Sequence, residues 1–165
     1  SAASPEAVVE HGQLMVEGGE FHEITAIEQV RVKGDSTNDR IALNATQDSG
    51  VRQIVVHAGD GKDLVSAFAD SDVLLVLYGQ LGNDTLEGAG GNDRIYGGAG
   101  RDQIDGRAGD DLLDGGGSPD TISAGTGQDV LIGGGRAADR FVIDPGTDVV
   151  MDLDDRDLLI SVDSL

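Results

Sequence analysis

Residues 79–135 carry six consecutive nine-residue repeats, and this period limits the possible fold more than any other feature of the chain. Counted from Gly79, the units read GQLGNDTLE, GAGGNDRIY, GGAGRDQID, GRAGDDLLD, GGGSPDTIS and AGTGQDVLI. The first residue is Gly in five units and Ala124 in the other, and the sixth residue is Asp in every unit. A fixed short period is typical of a repeat architecture, in which each unit packs only against its neighbours.

Two columns of the repeat predict a turn followed by a strand. The sixth-position column consists of Asp84, Asp93, Asp102, Asp111, Asp120 and Asp129. The eighth-position column is always aliphatic and consists of Leu86, Ile95, Ile104, Leu113, Ile122 and Leu131. Because glycine tolerates positive φ and close backbone approach, the first part of each unit should form a tight turn of about six residues. The remainder should be a short strand whose eighth side chain points inward, since strand side chains alternate between faces.

Weaker copies of the repeat flank the six full units. AGDGKDLVS at 58–66 places Asp63 in the sixth position. GGGRAADRFV at 133–142 has one extra residue and places Asp139 in the equivalent position. Both aspartates therefore join the candidate ligands.

Three further segments continue the pattern less clearly. GDSTNDRIA at 34–42 is in phase with the repeat, and VRQIVV at 51–56 is predicted to form an ordinary strand. AFADSDVLL at 67–75 is interpreted as a degenerate copy that keeps Asp72 and Leu74, after which three residues interrupt the frame.

The chain divides into four predicted parts. Residues 1–33 form a non-repeat segment that acts as a cap, and residues 34–78 hold degenerate repeats and strands. Residues 79–142 form the repeat domain, and 143–165 should supply closing strands. Caps are expected because the terminal turns of a repeat stack must cover an otherwise open core.

Successive short strands that alternate between two facing sheets would bring residues 18 apart in sequence into contact. Asp84, Asp102 and Asp120 would then form one row, and Asp93, Asp111 and Asp129 the opposite row. Like charges at strand spacing destabilise each other, so these rows call for a cation between neighbouring aspartates.

The charge of the whole chain supports the same requirement. It has 31 Asp plus Glu against 11 Lys plus Arg, a formal net charge of −20. This balance excludes nucleic acid and anionic membranes as favoured partners. There is no Cys, and the longest apolar run, Val73 to Leu77, is too short to span a bilayer.

Calcium fits the predicted ligands better than other cations. Ca²⁺ takes about six to eight oxygen ligands, including carboxylates and backbone carbonyls, in flexible geometry. Mg²⁺ prefers rigid octahedral geometry and retains its water, whereas transition metals favour His or Cys. An aspartate together with a glycine-rich turn supplies the ligands that Ca²⁺ prefers.

The repeat unit resembles G-G-x-G-x-D-x-U-x, the nonapeptide of the RTX (repeats-in-toxin) family. The resemblance implies an all-β fold, a right-handed parallel β-roll or β-helix solenoid with Ca²⁺ in its turns. It also implies that backbone carbonyls near Gly82, Gly91, Gly100, Gly109 and Gly127 join the aspartates as ligands. Six repeats give four pairs of turns at n and n+2, and therefore about four calcium sites with possible extras at Asp63 and Asp139.

The family resemblance further implies a module of a larger secreted bacterial protein. Such a module would leave the cell unfolded through type I secretion and fold on meeting extracellular Ca²⁺. The alternative is an auxiliary module that binds polysaccharide or another surface, as the repeat modules of alginate epimerases do. A row of aromatic or Arg residues on one sheet face would favour this alternative. No catalytic motif is recognisable, and we expect no enzymatic activity in this chain.

Overall fold

The chain folds into two facing parallel β-sheets, seen in a computed structural model that describes residues 8–10, 13–15, 29–45, 51–69, 73–143 and 147–162. All the regular structure in these residues is β, and none of it is helical. Outside the two large sheets, strands β1 (Val8–Glu10) and β2 (Gln13–Met15) form a short antiparallel pair.

The first sheet, here called the even sheet, contains seven strands whose order in space follows their order in sequence. These strands are β4 (Arg40–Ala45), β6 (Leu64–Ala69), β8 (Thr85–Glu87), β10 (Gln103–Asp105), β12 (Thr121–Ser123), β14 (Arg140–Ile143) and β16 (Leu158–Ser161).

The second sheet, here called the odd sheet, also contains seven strands in sequential order. These strands are β3 (Gln29–Lys33), β5 (Gln53–Asp60), β7 (Leu74–Leu81), β9 (Arg94–Ala99), β11 (Leu112–Gly116), β13 (Val130–Ile132) and β15 (Val149–Val150). The chain therefore crosses from one sheet to the other after every strand, which defines a parallel β-solenoid.

The register of the strands follows the predicted spacing of 18 residues. Ile104 lies between Leu86 and Ile122 in the even sheet, and Leu113 lies between Ile95 and Leu131 in the odd sheet. The prediction of an all-β parallel β-roll is confirmed. Its right-handed sense stays a prediction, based on the general preference for right-handed parallel crossovers.

A narrow apolar core fills the space between the sheets. Each short strand buries its central residue and leaves the two flanking residues partly exposed, as in the pattern of β8, β10, β12 and β13. The eighth-position side chains of the repeats are almost fully inaccessible to solvent. The extra residue at 133–142 is absorbed in the turn, so that Phe141 still pairs with Ile122 and continues the core column.

The register predicted for the degenerate repeat at 67–75 is wrong. Pairing of β7 with β9 aligns Leu75, and not Asp72, with the aspartate position, and Leu77, and not Leu74, with the core position. Leu75 and Leu77 are both fully buried, whereas Leu74 is only partly buried. The physical reason is the pairing of β7 with β5, which sets Leu75 beside Ile54 in an apolar column. Asp72 itself lies outside the described residues.

In the C-terminal segment, β15 pairs with β13 and β16 with β14, and its role as a cap stays a prediction. The final rung is open to solvent, since Leu158 and Leu159 are both substantially exposed. At the other end, part of the predicted strand region at 21–32 lies outside the described residues, and β3 begins at Gln29. Both sheets run across the segment boundaries predicted at 78/79 and 142/143 without interruption.

No helix with the length and apolar character needed to cross a membrane occurs in the part of the chain that the structure describes.

The alternation along β11 gives a direct test of the core. Leu113→Ala should lower the free energy of unfolding by about 2–5 kcal/mol, because it removes a fully buried side chain and leaves a cavity. Leu112→Ala is the matched control. The Leu112 side chain is only partly buried, so its removal should lower the free energy of unfolding by roughly 1 kcal/mol or less. Chemical denaturation at saturating Ca²⁺ measures both values, and equal losses would contradict the alternation.

Candidate metal centre

The turns that follow the odd-sheet strands carry a continuous row of aspartates, here called the long row. Its members are Asp39, Asp63, Asp84, Asp102, Asp120, Asp139 and Asp157. In each step the backbone N–H of one aspartate donates to Oδ1 of the next, as from Asp84 to Asp102 at 2.8 Å. The side chains therefore bind successive turns to one another.

The opposite turns carry a second row, here called the short row, with fewer members. They are Asp93, Asp111, Asp129 and Asp148. The N–H of Asp93 donates to Asp111 Oδ1 at 2.7 Å, and the N–H of Asp111 donates to Asp129 Oδ1 at 2.8 Å. Upstream the row stops, because the donor to Asp93 Oδ1 is the N–H of Leu75 at 2.9 Å.

The structure brings all the candidate aspartates from the sequence into these two rows. Asp63, Asp84, Asp102, Asp120 and Asp139 lie in the long row, and the remaining three lie in the short row. Sequence reasoning left out Asp39, Asp148 and Asp157. Asp39 was recognisable from its phase, whereas Asp148 and Asp157 precede aliphatic strands but lack the glycines of the repeat.

The carboxylates of the rows are buried, and six of them have one oxygen that receives no hydrogen bond. The nine row members from Asp39 to Asp139 are between 0% and 5% exposed. Within the described residues, six of their Oδ2 atoms receive no hydrogen bond; these, called the open oxygens, belong to Asp63, Asp84, Asp102, Asp111, Asp120 and Asp129. A buried acceptor without a donor destabilises the fold, so these atoms point to a missing positive partner.

The pKa values of the row aspartates show that burial disfavours their ionised form. Burial raises the pKa of Asp111 and Asp120 to about 7, and the charges of neighbouring aspartates add to the shift. Burial likewise raises the pKa of Asp63, Asp93 and Asp129 to about 6. The pKa of Asp84, Asp102 and Asp139 is also raised, mainly by burial. Hydrogen bonds from the backbone offset only part of these shifts, so the ionised rows favour a bound cation.

Position-four glycines pack against the position-four carbonyls of the preceding turn in the same row. A Cβ on Gly100 would fall 1.6 Å from the carbonyl oxygen of Gly82, and one on Gly109 would fall 2.3 Å from that of Gly91. Gly127 stands in the same relation to the Gly109 carbonyl, at 1.9 Å. These close approaches explain why the position is glycine, and the role of these carbonyls as calcium ligands stays a prediction.

Position one contributes a second set of oxygens that the sequence did not reveal. A Cβ on Gly97 would lie 2.5 Å from Asp102 Oδ2 and 2.5 Å from the carbonyl oxygen of Gly115 in the next turn. The same pair of approaches recurs at Gly106, where the oxygens belong to Asp111 and Ala124. The first-position glycine was the visible signal, but its role depends on a turn 18 residues away.

The ligand chemistry fits Ca²⁺ and requires the backbone. No group of three or more His, Cys, Asp or Glu side chains gathers around one point among the described residues. A metal ion must therefore combine aspartate oxygens with carbonyl oxygens of adjacent turns. Such an all-oxygen set suits Ca²⁺, and the unused Oδ2 atoms and the glycine-lined spaces beside them are consistent with it.

A parallel β-solenoid with carboxylate rows along its turns defines a calcium-binding repeat module. Residues 78–113 and 105–135 match the family model described as RTX calcium-binding nonapeptide repeat, with 4 copies. The chain therefore carries RTX repeats, a family whose members generally bind calcium and typically occur in secreted proteins. Comparisons with curated proteins and with solved structures gave no significant match.

Gly100 provides a test of the turn geometry. Gly100→Ala should raise the Ca²⁺ concentration at the midpoint of folding, because the new Cβ meets the Gly82 carbonyl and φ is +128°. The left-handed conformation alone costs roughly 1–2 kcal/mol. Gly117→Ala is the control, since its Cβ would find only the Gly98 carbonyl at 3.8 Å. Calcium titration followed by circular dichroism compares the two, and equal midpoints would contradict the assigned geometry.

Proposed function

We propose that this chain is the calcium-binding part of a larger secreted protein and that Ca²⁺ drives its folding. The open oxygens carry the proposal, because they are buried acceptors along both rows that receive no hydrogen bond and that a cation would satisfy. The match of residues 78–135 to the RTX calcium-binding repeat supports the choice of ion. The proposed role is binding and folding, without catalysis by this chain.

The energetics explain why the ion would control folding. Within the six repeats, the core consists mainly of one aliphatic column from each sheet and buries few large side chains, so its stabilisation is limited. Formation of the turns also buries ionised carboxylates, which opposes folding in the absence of a cation. An ion that binds only the folded chain adds stability that grows with its concentration.

This dependence suits a protein that crosses between compartments. Extracellular calcium modules bind Ca²⁺ at about 10⁻⁴–10⁻³ M. At the low calcium of a cytosol, the repulsion between aspartates would keep such a chain unfolded, as passage through type I secretion machinery requires. After export, Ca²⁺ would neutralise the rows and complete the solenoid.

Circular dichroism during a calcium titration tests the proposal. In chelator the β signal should be weak, and it should appear cooperatively as Ca²⁺ is added, with Mg²⁺ as the comparison ion. A β signal that is the same in chelator and in saturating Ca²⁺ would reject the folding role.

Variants of the rows sharpen the same experiment. Asp102→Ala and Asp111→Ala should each raise the calcium midpoint by roughly tenfold or more, since each removes an oxygen ligand. Asp60→Ala makes the same change of charge at an exposed position and should leave the midpoint almost unchanged. A similar response of all three variants would mean that net charge, and not the rows, sets the midpoint.

A second candidate function is supported by the outer face of the odd sheet. His57 stacks on Tyr78 with ring centroids 4.7 Å apart, and Tyr78 stacks on Tyr96 at 5.1 Å. Arg94 on β9 and Lys33 on β3 are exposed beside this stack, and neither forms an ion pair with another described residue. A local excess of cations and polar aromatic edges, on a chain of charge −20, would suit an acidic polysaccharide.

Binding to an acidic polysaccharide separates this candidate from a purely structural module. Retardation of the calcium-loaded chain in gels that contain polyuronate should be reduced severalfold by Arg94→Ala. Arg140→Ala, an exposed arginine on β14 of the even sheet, is the matched control and should behave as the parent chain. Equal retardation of the two variants, or none of the parent chain, would remove this candidate.

A further inference from the structure

The first aspartate of each row differs from those that follow. In the long row, the N–H of Asp35 donates to Oδ2 of Asp39 at 2.9 Å. In the short row, the N–H of Ala89 donates to Oδ2 of Asp93 at 2.8 Å. Asp35 and Ala89 both occupy position two of their turns, so the same local hydrogen bond satisfies the first carboxylate of both rows.

The following turns have a different backbone at position two. This residue has positive φ in every turn that carries an open oxygen; in the long row it is Gly59, Gln80, Gly98 and Gly116, and in the short row Arg107 and Gly125. Asp35 and Ala89 do not have positive φ. The left-handed residue and the open oxygen therefore occur together in six turns and are both missing from the two first turns described by the structure.

Gln80 and Arg107 show that glycine is not the cause of this conformation. Their φ values are 80° and 71°, although a side chain makes the left-handed region unfavourable by roughly 1–2 kcal/mol. Strained backbone persists where the surrounding structure requires it, often at ligand sites. The N–H at position two also finds another acceptor, since Gly116 donates to the Gly133 carbonyl at 3.0 Å.

A hydrogen-bond donor and a metal ion compete for the same carboxylate oxygen. A position-two N–H that donates to Oδ2 uses one of its two lone pairs and places a partial positive charge close to any cation at the other. When this N–H is directed elsewhere, Oδ2 is left available to the ion. The two backbone conformations are therefore two ways to satisfy one buried oxygen.

Resting on the proposed calcium binding, we infer that each row begins with a metal-free turn. Asp39 and Asp93 accept a peptide N–H in place of a calcium ion at Oδ2. Coordination through Oδ2 begins at the next aspartate, Asp63 in the long row and Asp111 in the short row. Asp63 lies outside residues 78–135, which match the family model. The inferred array of calcium sites therefore extends into the weaker repeat at 58–66.

The residues before Asp93 agree with this assignment. Leu75 and Ile54 occupy the position of the aspartate in the two preceding strands of the odd sheet, and both are buried. Val30 precedes them in the same column. This edge of the solenoid is closed by aliphatic side chains up to the first carboxylate, and Asp93 is the transition between the apolar and the charged part.

Calcium stoichiometry of neighbouring variants tests the inference. The number of ions bound per chain is measured by equilibrium dialysis at saturating Ca²⁺, with circular dichroism to confirm folding. Asp111→Asn should lose at least about one ion relative to the parent chain. Asp93→Asn should keep the full number, although its calcium midpoint should rise because a hydrogen bond at the turn is lost.

The long row provides the same comparison, in case a variant of the short row does not fold. Asp63→Asn should lose an ion, and Asp39→Asn should lose none. If either first aspartate loses as many ions as its neighbour, or if neither neighbour loses any, the inference is overturned. A parent chain that binds no calcium would instead overturn the proposed function, so the two failures are distinguishable.

Discussion

The buried carboxylate that lacks a donor for one of its oxygens is the constraint on which the rest of this structure depends. Oδ1 of each aspartate accepts a peptide N–H from the preceding turn, which sets the stacking distance and the register of the sheets. Oδ2 is buried without a hydrogen-bond donor, where its charge is costly. The same side chain therefore joins the turns of the solenoid and adds a buried charge that opposes folding.

The other features of the repeat follow from this requirement. Glycine stands at positions one and four because carbonyl and carboxylate oxygens of adjacent turns must approach where a Cβ would lie. Aliphatic residues stand at position eight because each of these side chains is almost fully buried between the two sheets. A protein with only 3% aromatic residues can use this architecture, since long-range order comes from repeated turns and not from large core side chains.

The sequence predicted the two rows and the core columns because a strict period converts directly into spatial neighbours. It failed where the period was imperfect. The segment D-V-L-L at 72–75 offers two phases for the aliphatic column, and only pairing with Ile54 and Val56 of β5 selects Leu75 and Leu77. Arg107 occupies position two of its turn, where the next two repeats have glycine, yet it has positive φ as Gly98 does. The residue type at this position does not predict the conformation, because contacts with the adjacent turns impose it.

The apolar column at Val30, Ile54 and Leu75 gives the solenoid a polarity. In a stack where each unit contacts only its neighbours, stability is approximately a sum over units and interfaces. Near β3, β5 and β7 one edge is held by aliphatic contacts, whereas from Asp93 onward both edges carry buried carboxylates. If calcium binds as proposed, we expect its withdrawal to weaken the stack unevenly, so that unfolding starts at the C-terminal rungs and the aliphatic N-terminal rungs persist longest.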